Sequence, residues 1–243
     1  KPTGDMYTQF KLGKPYEKFN DKDLRKKPYK YLGNGLYEGM FIVGDFKTPS
    51  GEIINGVEEY KDRPLVFVDY VGRMSEVGPD KPYKTPADLP STVKNGEENS
   101  GVRIVKVPIP TSADSQLRWG ADRCIIRLAE IYYTLAECKW RAGDVAGAVK
   151  LINDVRARNF ENKEDPDPVT IVNLDKYRLI DEWGTEFLGE GRRRTDLIRW
   201  GMYATENWWD HTATNNKNIN RFPIASGAIS GNNLLQQNPG PWQ

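Results

Sequence analysis

Residues 127–158 decide the fold and read RLAEIYYTLAECKWRAGDVAGAVKLINDVRAR. Apolar residues recur in this stretch at the i, i+3, i+4 and i+7 spacing that places one side of an α-helix against a core. The spacing predicts one helix over residues 122–142 and a second over residues 145–158. Between them, Gly143 suits the left-handed residue that ends a helix, and Asp144 suits the cap that begins the next. A break this short predicts an antiparallel helical hairpin.

Two apolar stripes run along the first predicted helix, so we expect it to be buried on more than one side. The wider stripe is predicted to face the core and consists of Ile125, Leu128, Ala129, Tyr132, Leu135 and Ala136. The second stripe consists of Ile126, Tyr133 and Trp140. Cys124 and Cys138 are both expected on this helix, about 21 Å apart, which is too far for a disulfide. We expect both cysteines to be free and buried.

The hairpin resembles one unit of a tetratricopeptide array, although the full consensus of that repeat is not met. One such unit cannot bury its own apolar face, and arrays usually stack at least three. The 243 residues contain no second copy of the pattern. We therefore expect either a longer array of which this chain is a part, or non-repeat structure that covers the hairpin.

A third helix is predicted over residues 174–190, with a large apolar stripe that includes Trp183. Gly189 and Gly191 lie near its end, and glycines at this spacing predict that the helix stops or kinks there. A short helix over residues 193–200 is predicted to follow.

Charged residues crowd the corner between these two helices. Four arginines and four carboxylates lie close together in the sequence: Arg192, Arg193, Arg194 and Arg199 with Glu182, Glu186, Glu190 and Asp196. The simplest interpretation is a salt-bridged helix corner. The alternative is a phosphate or nucleic-acid site, which the short run and the interleaved carboxylates disfavour. The net charge of +1 also provides no field that would attract nucleic acid.

Several further segments accompany the hairpin in a definite order. The set is RLAEIYYTLAE (127–137), INDVRAR (152–158), EFLGEGR (186–192), DLIRWG (196–201), FPIA (222–225) and QNPG (237–240). In this order the segments resemble the SusD/RagB family. The sequence departs from the family pattern at Ala225, where a second proline is usual. It departs again at Pro241-Trp242, where an aromatic residue often follows the glycine directly.

The resemblance implies a mainly α fold with long loops and a few short strands. Members of the family carry tetratricopeptide-like units mostly in the N-terminal half, and a loop-rich C-terminal half packs against them. Residues 1–243 are then expected to form a single SusD-like C-terminal region. Within it we expect a part of loops and short strands (1–120), a helical part (121–201) and an irregular tail (202–243).

The resemblance also implies a function. Members of the family bind nutrients, most often glycans, without catalysis, and act with a SusC-like TonB-dependent transporter in the outer membrane of Bacteroidetes. An N-terminal lipid anchor holds them on the extracellular face. The first residues contain neither an apolar leader nor a lipid-accepting cysteine, so we expect the anchor and the N-terminal half to lie outside this chain. We expect an oligo- or polysaccharide ligand, no nucleic acid, and membrane contact through that anchor alone.

Patterns for catalysis and metal binding are missing from the sequence. The single histidine, His211, nearly excludes a metal site of several imidazoles and a histidine-based triad. No nucleophile elbow, Walker loop or dinucleotide fingerprint occurs. The acidic loop 161–167 lacks the spacing of a known calcium site. We therefore predict no catalytic residue, no metal and no cofactor.

The first 120 residues differ from the helical block. Residues 33–46 predict a turn with a short strand, and residues 64–71 and 102–109 predict strands because they are rich in β-branched and aromatic side chains. Residues 78–100 are polar and rich in Pro, Gly, Asn and Glu, which predicts a long loop.

Ligand-binding residues are expected on loops, because rings on the helix stripes are committed to the core. A flat aromatic ring can stack on the apolar C–H face of a sugar at a small cost in side-chain entropy. Trp119, just before the hairpin, is the strongest candidate. The other ring candidates are Tyr70, Tyr83, Trp208 and Trp209, and the polar candidates are Arg73, Asn95 and Arg118.

Two other classes of function remain open. A tetratricopeptide-like scaffold would bind another protein through its helical groove, although such a scaffold does not need the Gly-Glu-Gly-Arg and Gln-Asn-Pro-Gly motifs. A glycan-active enzyme would need two carboxylates poised in a cleft. Pairs of carboxylates are inevitable among 34 acidic residues, so their presence alone does not favour an enzyme.

Overall fold

The computed structural model describes residues 16–33, 36–48, 51–57, 61–67, 101–106, 124–207 and 212–240. The α-helices within these ranges are α1 (Leu128–Arg141), α2 (Val145–Arg156), α3 (Lys176–Glu186), α4 (Arg193–Arg199) and α5 (Ser226–Gly231). The strands are β1 (Lys30–Gly33), β2 (Leu36–Glu38), β3 (Phe41–Ile42), β4 (Gly44–Asp45), β5 (Val66–Phe67) and β6 (Arg103–Ile104). Short 3-10 turns lie at Tyr16–Lys18, Leu24–Lys26, Ala157–Asn159, Glu161–Lys163 and Lys217–Asn220. The architecture is mainly α with a few short strands, which confirms the predicted fold class.

Helices α1 and α2 form the predicted hairpin. Gly143 has a φ of 89°, and the Asp144 carboxylate accepts a hydrogen bond from the backbone N–H of Gly147 at 2.9 Å. Both sequence predictions for the break are thereby confirmed. Helix α1 begins later than predicted, at Leu128, because Arg127 has an extended backbone with φ −108° and ψ 153°.

One side of α1 faces the core. The residues buried on that side are Ala129, Tyr133 and Ala136. The exposed side carries Leu128, Ile131 and Leu135, which expose 72%, 53% and 47% of their surface and are named here the α1 stripe. The prediction that the wider apolar stripe is buried is therefore wrong for its leucines and correct for its alanines. The side that carries the Tyr133 ring packs against α2 and α3, and this contact turns the leucines away.

The isoleucines and cysteines near α1 also differ from expectation. Ile125 and Ile126 precede the helix and are exposed. Both cysteines are free, as predicted, but Cys124 and Cys138 are exposed rather than buried. Cys124 precedes the helix, and Cys138 lies one turn beyond Leu135, on the side that faces away from the core.

The main core lies between α1, α2 and α3. The Tyr133 ring centroid lies 5.6 Å from that of Trp183 and 6.2 Å from that of Phe187. At the edge of this core, the Asn153 side chain donates to the carbonyl oxygen of Val169 at 2.8 Å and accepts from its N–H at 2.9 Å. This two-way pair fixes the chain between α2 and α3 against the hairpin.

Helix α3 ends at Glu186, before the predicted position 190. The two glycines after it adopt left-handed backbones, with φ 80° at Gly189 and 77° at Gly191. Residues with a Cβ rarely adopt this conformation, so the predicted stop signal is confirmed. Helix α4 follows close to its predicted bounds.

The predicted strand segments pair with one another. β3 pairs antiparallel with β6, with Phe41 opposite Ile104, and β4 pairs antiparallel with β5. Phe41 is fully buried and packs on Phe19 in a second, smaller core. The remainder of the predicted strands and the predicted loop 78–100 lie outside the described residues.

The tail is irregular apart from α5 and the 3-10 turn before it. The Asn238 side chain donates to the carbonyl oxygen of Phe222 at 2.9 Å, which joins the FPIA and QNPG segments. Throughout the described ranges, each helix is too short or too polar to cross a membrane.

Candidate functional site

The ligand residues predicted from the sequence all lie outside the described residues. The set comprises Trp119, Tyr70, Tyr83, Trp208, Trp209, Arg73, Asn95 and Arg118, and His211 falls outside as well. They remain predictions. A different candidate site lies among the described residues. A network of ion pairs between charged side chains holds its walls in place.

Glu186 is the centre of that network. Its carboxylate is almost completely buried and accepts hydrogen bonds from Arg127 at 2.8 Å, from Arg25 at 3.0 Å, and from Arg158. Burial alone would raise the pKa of Glu186. The guanidinium groups of Arg158 and Arg127 outweigh burial and hold this pKa below its ordinary value. Three separate stretches of the chain therefore meet at one ionised carboxylate.

A second buried carboxylate, Glu182, lies one turn earlier on α3. It accepts hydrogen bonds from Arg156 at 2.6 Å and from Arg178 at 2.7 Å. Arg156 also binds both oxygens of Asp165, at 2.7 and 3.1 Å. The acidic loop 161–167 is thus tied to an arginine, and no cluster of metal-ligating side chains occurs among the described residues.

Salt bridges form, as predicted, at three of the four corner arginines (Arg192, Arg193 and Arg199), but several partners differ. Arg192 binds Glu130 and Arg199 binds Glu137, so both partners come from α1. Each arginine also pairs with Asp196, at 3.7 and 3.3 Å. These guanidinium groups join α4 to the hairpin, which leaves the phosphate-site alternative without support.

The other two arginines of the corner bind backbone carbonyl oxygens. Arg193 donates to Ile180 at 2.6 Å, and Arg194 donates to Ile219 at 2.9 Å. Their role is also structural, because a buried carbonyl group needs a hydrogen-bond donor.

A spacious cavity lies beside Glu186. Its volume is about 520 Å³, against 350 Å³ for a cavity between α3 and α4 and 230 Å³ for a polar cavity beside the 3-10 turn Tyr16–Lys18. A volume of this order fits a small ligand. We name this cavity the Tyr37 cleft; its walls include Tyr37, Met40, Val105, Lys106, Arg158 and Asn159.

Tyr37 contributes the aromatic wall of the cleft. It lies on β2, and its hydroxyl donates to the carbonyl oxygen of Lys106 at 3.0 Å. Burial, followed by the neighbouring Tyr29, raises the pKa of Tyr37, so its phenol stays neutral at physiological pH. Tyr37 was not among the predicted ligand residues, although it lies in the segment 33–46 that was predicted to form a turn and a short strand.

Asn159 contributes a buried side chain to the lining of the cleft. It ends the 3-10 turn Ala157–Asn159 after α2 and exposes 7% of its surface. Its Nδ2 has no hydrogen-bond partner among the described residues. Such a donor is expensive to leave unpaired in a protein interior. The sequence gives no signal for this state, because it depends on side chains from distant segments.

The hairpin and its core define a mainly α, tetratricopeptide-like class of protein, with the Tyr37 cleft beside the buried Glu186. The family model described as "SusD family" matches residues 3–241. The chain belongs to this family.

Two curated relatives are similar to parts of the chain. Starch-binding protein SusD of Bacteroides thetaiotaomicron is 38% identical over 128 residues, which are 49% of this chain and 21% of that protein. SusD-like protein P25 of Formosa agariphila is 36% identical over 85 residues, 33% of this chain and 16% of that protein. The matches therefore span about a fifth of the length of these relatives.

The chain is also similar to a solved structure. It is a SusD-like protein from Bacteroides fragilis, aligned with a TM-score of 0.44 and 21% sequence identity. The alignment covers 83% of this chain and 37% of the other.

Proposed function

We propose that the protein binds a glycan at the cell surface as the capture component of a nutrient-uptake system, without catalysing a reaction. The observation that carries this proposal is the 38% identity to a starch-binding protein over 49% of the chain. Membership of the SusD family supports it. About half of the chain thus has a counterpart in a protein named for sugar binding.

The Tyr37 cleft supports binding of a polar ligand with an apolar face. Sugars combine a C–H face, which packs on rings, with hydroxyl groups, which need hydrogen-bond partners. The cleft places the Tyr37 ring beside Met40 and Val105, and places Asn159 and Arg158 among the polar lining. Such a combination is typical of small-molecule sites.

The buried carboxylates of α3 support binding rather than hydrolysis. A glycosidase needs one carboxyl group with a raised pKa and a second that acts as base or nucleophile. The pKa of Glu186 is lowered, and Glu182 is held by two arginines. Burial raises the pKa of Asp181, but Lys18 donates a hydrogen bond to it at 2.6 Å. These groups are committed to joining helices.

The eight ligand residues predicted from the sequence belong to this proposal. We expect Trp119→Ala in the full-length protein to weaken retardation in gels that contain the cognate polysaccharide, with an unchanged melting temperature. Trp140→Ala is the matched control, because Trp140 packs on Trp200 with ring centroids 5.7 Å apart. This control should lower the melting temperature and leave retardation of the folded protein unchanged.

One outcome of that experiment would contradict the role of Trp119, and another would contradict glycan binding as a whole. Unchanged retardation of Trp119→Ala would reject this ring as a ligand residue. A wild-type protein that no polysaccharide of a broad panel retards would reject glycan binding itself.

The proposal extends to partner and location. We infer that the protein acts with a SusC-like TonB-dependent transporter on the extracellular face of the outer membrane, held there by an N-terminal lipid anchor. Family membership supports this inference. Affinity purification from detergent-solubilised outer membranes should recover a TonB-dependent transporter with the protein. Recovery of the protein without a transporter would count against the partnership.

One observation favours an alternative function as a protein-binding scaffold. The α1 stripe exposes Leu128, Ile131 and Leu135 in a row along one helix side, and such a row can bind an amphipathic helix. In the scaffold interpretation, Leu135→Glu would abolish recovery of a partner protein and leave glycan retardation unchanged. Loss of glycan retardation in the same variant would exclude a separate scaffold role.

A further inference from the structure

We propose that the Tyr37 cleft binds an acidic sugar residue, with its carboxylate or sulfate group against Arg158 and Asn159 and its ring against Tyr37. This inference rests on the proposed glycan-binding function and names the chemical class of the glycan. It concerns a site that is separate in sequence from Trp119 and the other predicted loop residues.

The balance of charged side chains around the cleft is the first argument. The lining includes five cationic side chains, Arg25, Lys27, Lys106, Arg127 and Arg158, and two carboxylates, Glu38 and Glu186. Glu186 already accepts hydrogen bonds from three arginines. Its oxygens are therefore occupied, and a ligand finds more donors than acceptors in the described lining.

Some of these cationic side chains can still donate hydrogen bonds to a ligand, which is the second argument. Arg25 and Arg127 are held by two carboxylates each, and Lys106 by the Glu190 carboxylate and the carbonyl oxygen of Glu186. Arg158 and Lys27 are more open, with 50% and 46% of their side chains exposed, and Lys27 pairs with Glu161 at 3.3 Å. A guanidinium group has five N–H donors, and Glu186 engages the Nη2 atom of Arg158. Donor capacity thus remains at Arg158.

Asn159 is the third and independent argument. Asn159 lines the cleft next in sequence to Arg158, and its Nδ2 is buried without a partner among the described residues. An amide donor beside a planar guanidinium group suits an oxyanion, because carboxylate and sulfate offer several acceptor oxygens and no donor. A neutral sugar would satisfy the amide, but it would leave the remaining donors of Arg158 without an anionic partner.

The size and the apolar part of the cleft complete the fit. The volume of about 520 Å³ accommodates one or two sugar rings. Met40 and Val105 are buried in the wall, and Tyr37 adds an aromatic face. Apolar walls of this kind pack on the C–H face of a pyranose, and they also lower the local dielectric so that charge-assisted hydrogen bonds strengthen.

Calorimetric titration of the full-length protein tests the proposal with three probes of similar size. These are tri-galacturonic acid for the carboxylate, a carrageenan tetrasaccharide for the sulfate, and maltotetraose as the neutral sugar. We expect tighter binding of one or both acidic probes than of maltotetraose, with an affinity that falls as salt is added. The Asn159→Ala variant should bind the acidic probe on the order of tenfold more weakly, the effect of one charge-assisted hydrogen bond.

Two asparagines on neighbouring turns provide a matched control. Asn159→Ala removes an unpaired buried donor, so its melting temperature should be unchanged or higher. Asn153→Ala breaks the two hydrogen bonds to Val169, so its melting temperature should fall while acidic selectivity is retained. Arg158→Gln should remove the preference for acidic probes, while Arg25 and Arg127 still hold Glu186.

The outcomes separate this inference from the proposed function. Binding of maltotetraose alone, or equal acidic affinity in wild type, Asn159→Ala and Arg158→Gln, would overturn the acidic site and leave glycan capture standing. A lower melting temperature for Asn159→Ala with unchanged affinity would also overturn it, since Asn159 would then be structural. Failure to bind any glycan in a broad panel would overturn the proposed function.

Discussion

Gln237 holds both backbone polar groups of Ile224. Its Nε2 donates to the Ile224 carbonyl oxygen at 2.9 Å, and its Oε1 accepts from the Ile224 N–H at 2.7 Å. A single amide side chain thus makes the two hydrogen bonds that a neighbouring β-strand would make to this residue. This contact explains why the FPIA and QNPG segments occur together, because the second segment satisfies the hydrogen bonds of the first.

Replacement of Gln237 should loosen the tail. We expect Gln237→Ala to lower the free energy of unfolding by about 1–2 kcal/mol, since two partly buried backbone groups lose their partner. Urea denaturation of the variant measures this change. Gln236→Ala is the control, because Gln236 is exposed and should be nearly neutral. Equal effects of the two variants would contradict the contact.

Acid should weaken the fold partly through Glu186. Its folded-state pKa lies below the ordinary value of 4.5, so the ionised carboxylate contributes stability that is fully present above that value. The contribution is lost as the pH falls through the lower folded-state pKa. Glu186→Gln should cost about 3 kcal/mol at neutral pH, because three arginines, two of them mostly buried, lose their counter-charge.

The pH dependence distinguishes that effect from a general loss of packing. Melting temperatures of Glu186→Gln should fall less steeply than those of wild type as the pH is lowered below 4.5. The surface variant Glu164→Gln should follow the wild-type curve, because Glu164 is exposed. A Glu186→Gln curve parallel to wild type would contradict the assigned pKa shift.

The orientation of α1 can be tested by adding volume on opposite sides. Ala136 is fully buried against the core, so Ala136→Leu should lower the free energy of unfolding by about 1–3 kcal/mol through overpacking. Thr134 is exposed on the same helix, and Thr134→Leu should change stability by less than about 0.5 kcal/mol. Thermal unfolding compares the two. A larger loss for Thr134→Leu would mean that α1 presents its other side to the core.

Any side chain at position 189 should lower the stability of the folded protein. Its φ of 80° disfavours any Cβ, and an added Cβ would approach the Cγ2 atom of Ile104 at 3.3 Å. We expect Gly189→Ala to destabilise the protein by about 1 kcal/mol. Gly227→Ala in α5 is the control, because a Cβ there meets open space and favours the helix. A neutral Gly189→Ala variant would contradict the described backbone.

Local signals in the sequence predicted the hairpin and its break. Gly143 and Asp144 act through their own backbone and side-chain chemistry, so neighbouring residues suffice to recognise them. The buried side of α1 could not be predicted in the same way. Leu135 and Ala136 are adjacent and both apolar, and contacts with α2 and α3 decide which one enters the core.

The candidate site was harder to predict than the fold. The partners of Glu186 lie 161 residues away at Arg25 and 59 residues away at Arg127. Proximity in the sequence instead favoured the arginines after position 190, which bind other groups. The sequence also does not show that Asn159 is unpaired, because this state results from the absence of a hydrogen-bond acceptor for its Nδ2 atom among the described residues.

One carboxylate, that of Glu186, binds Arg25, Arg127 and Arg158. Local unfolding of the three chain segments that carry these arginines is therefore coupled. If the segment of Arg25 detached, Glu186 would remain a buried carboxylate with one hydrogen-bond donor fewer, which is costly in a protein interior. Separation of any one segment therefore weakens the attachment of the other two. Amide hydrogens in residues 24–26, 127–141 and 157–159 should consequently exchange with deuterium as one cooperative unit.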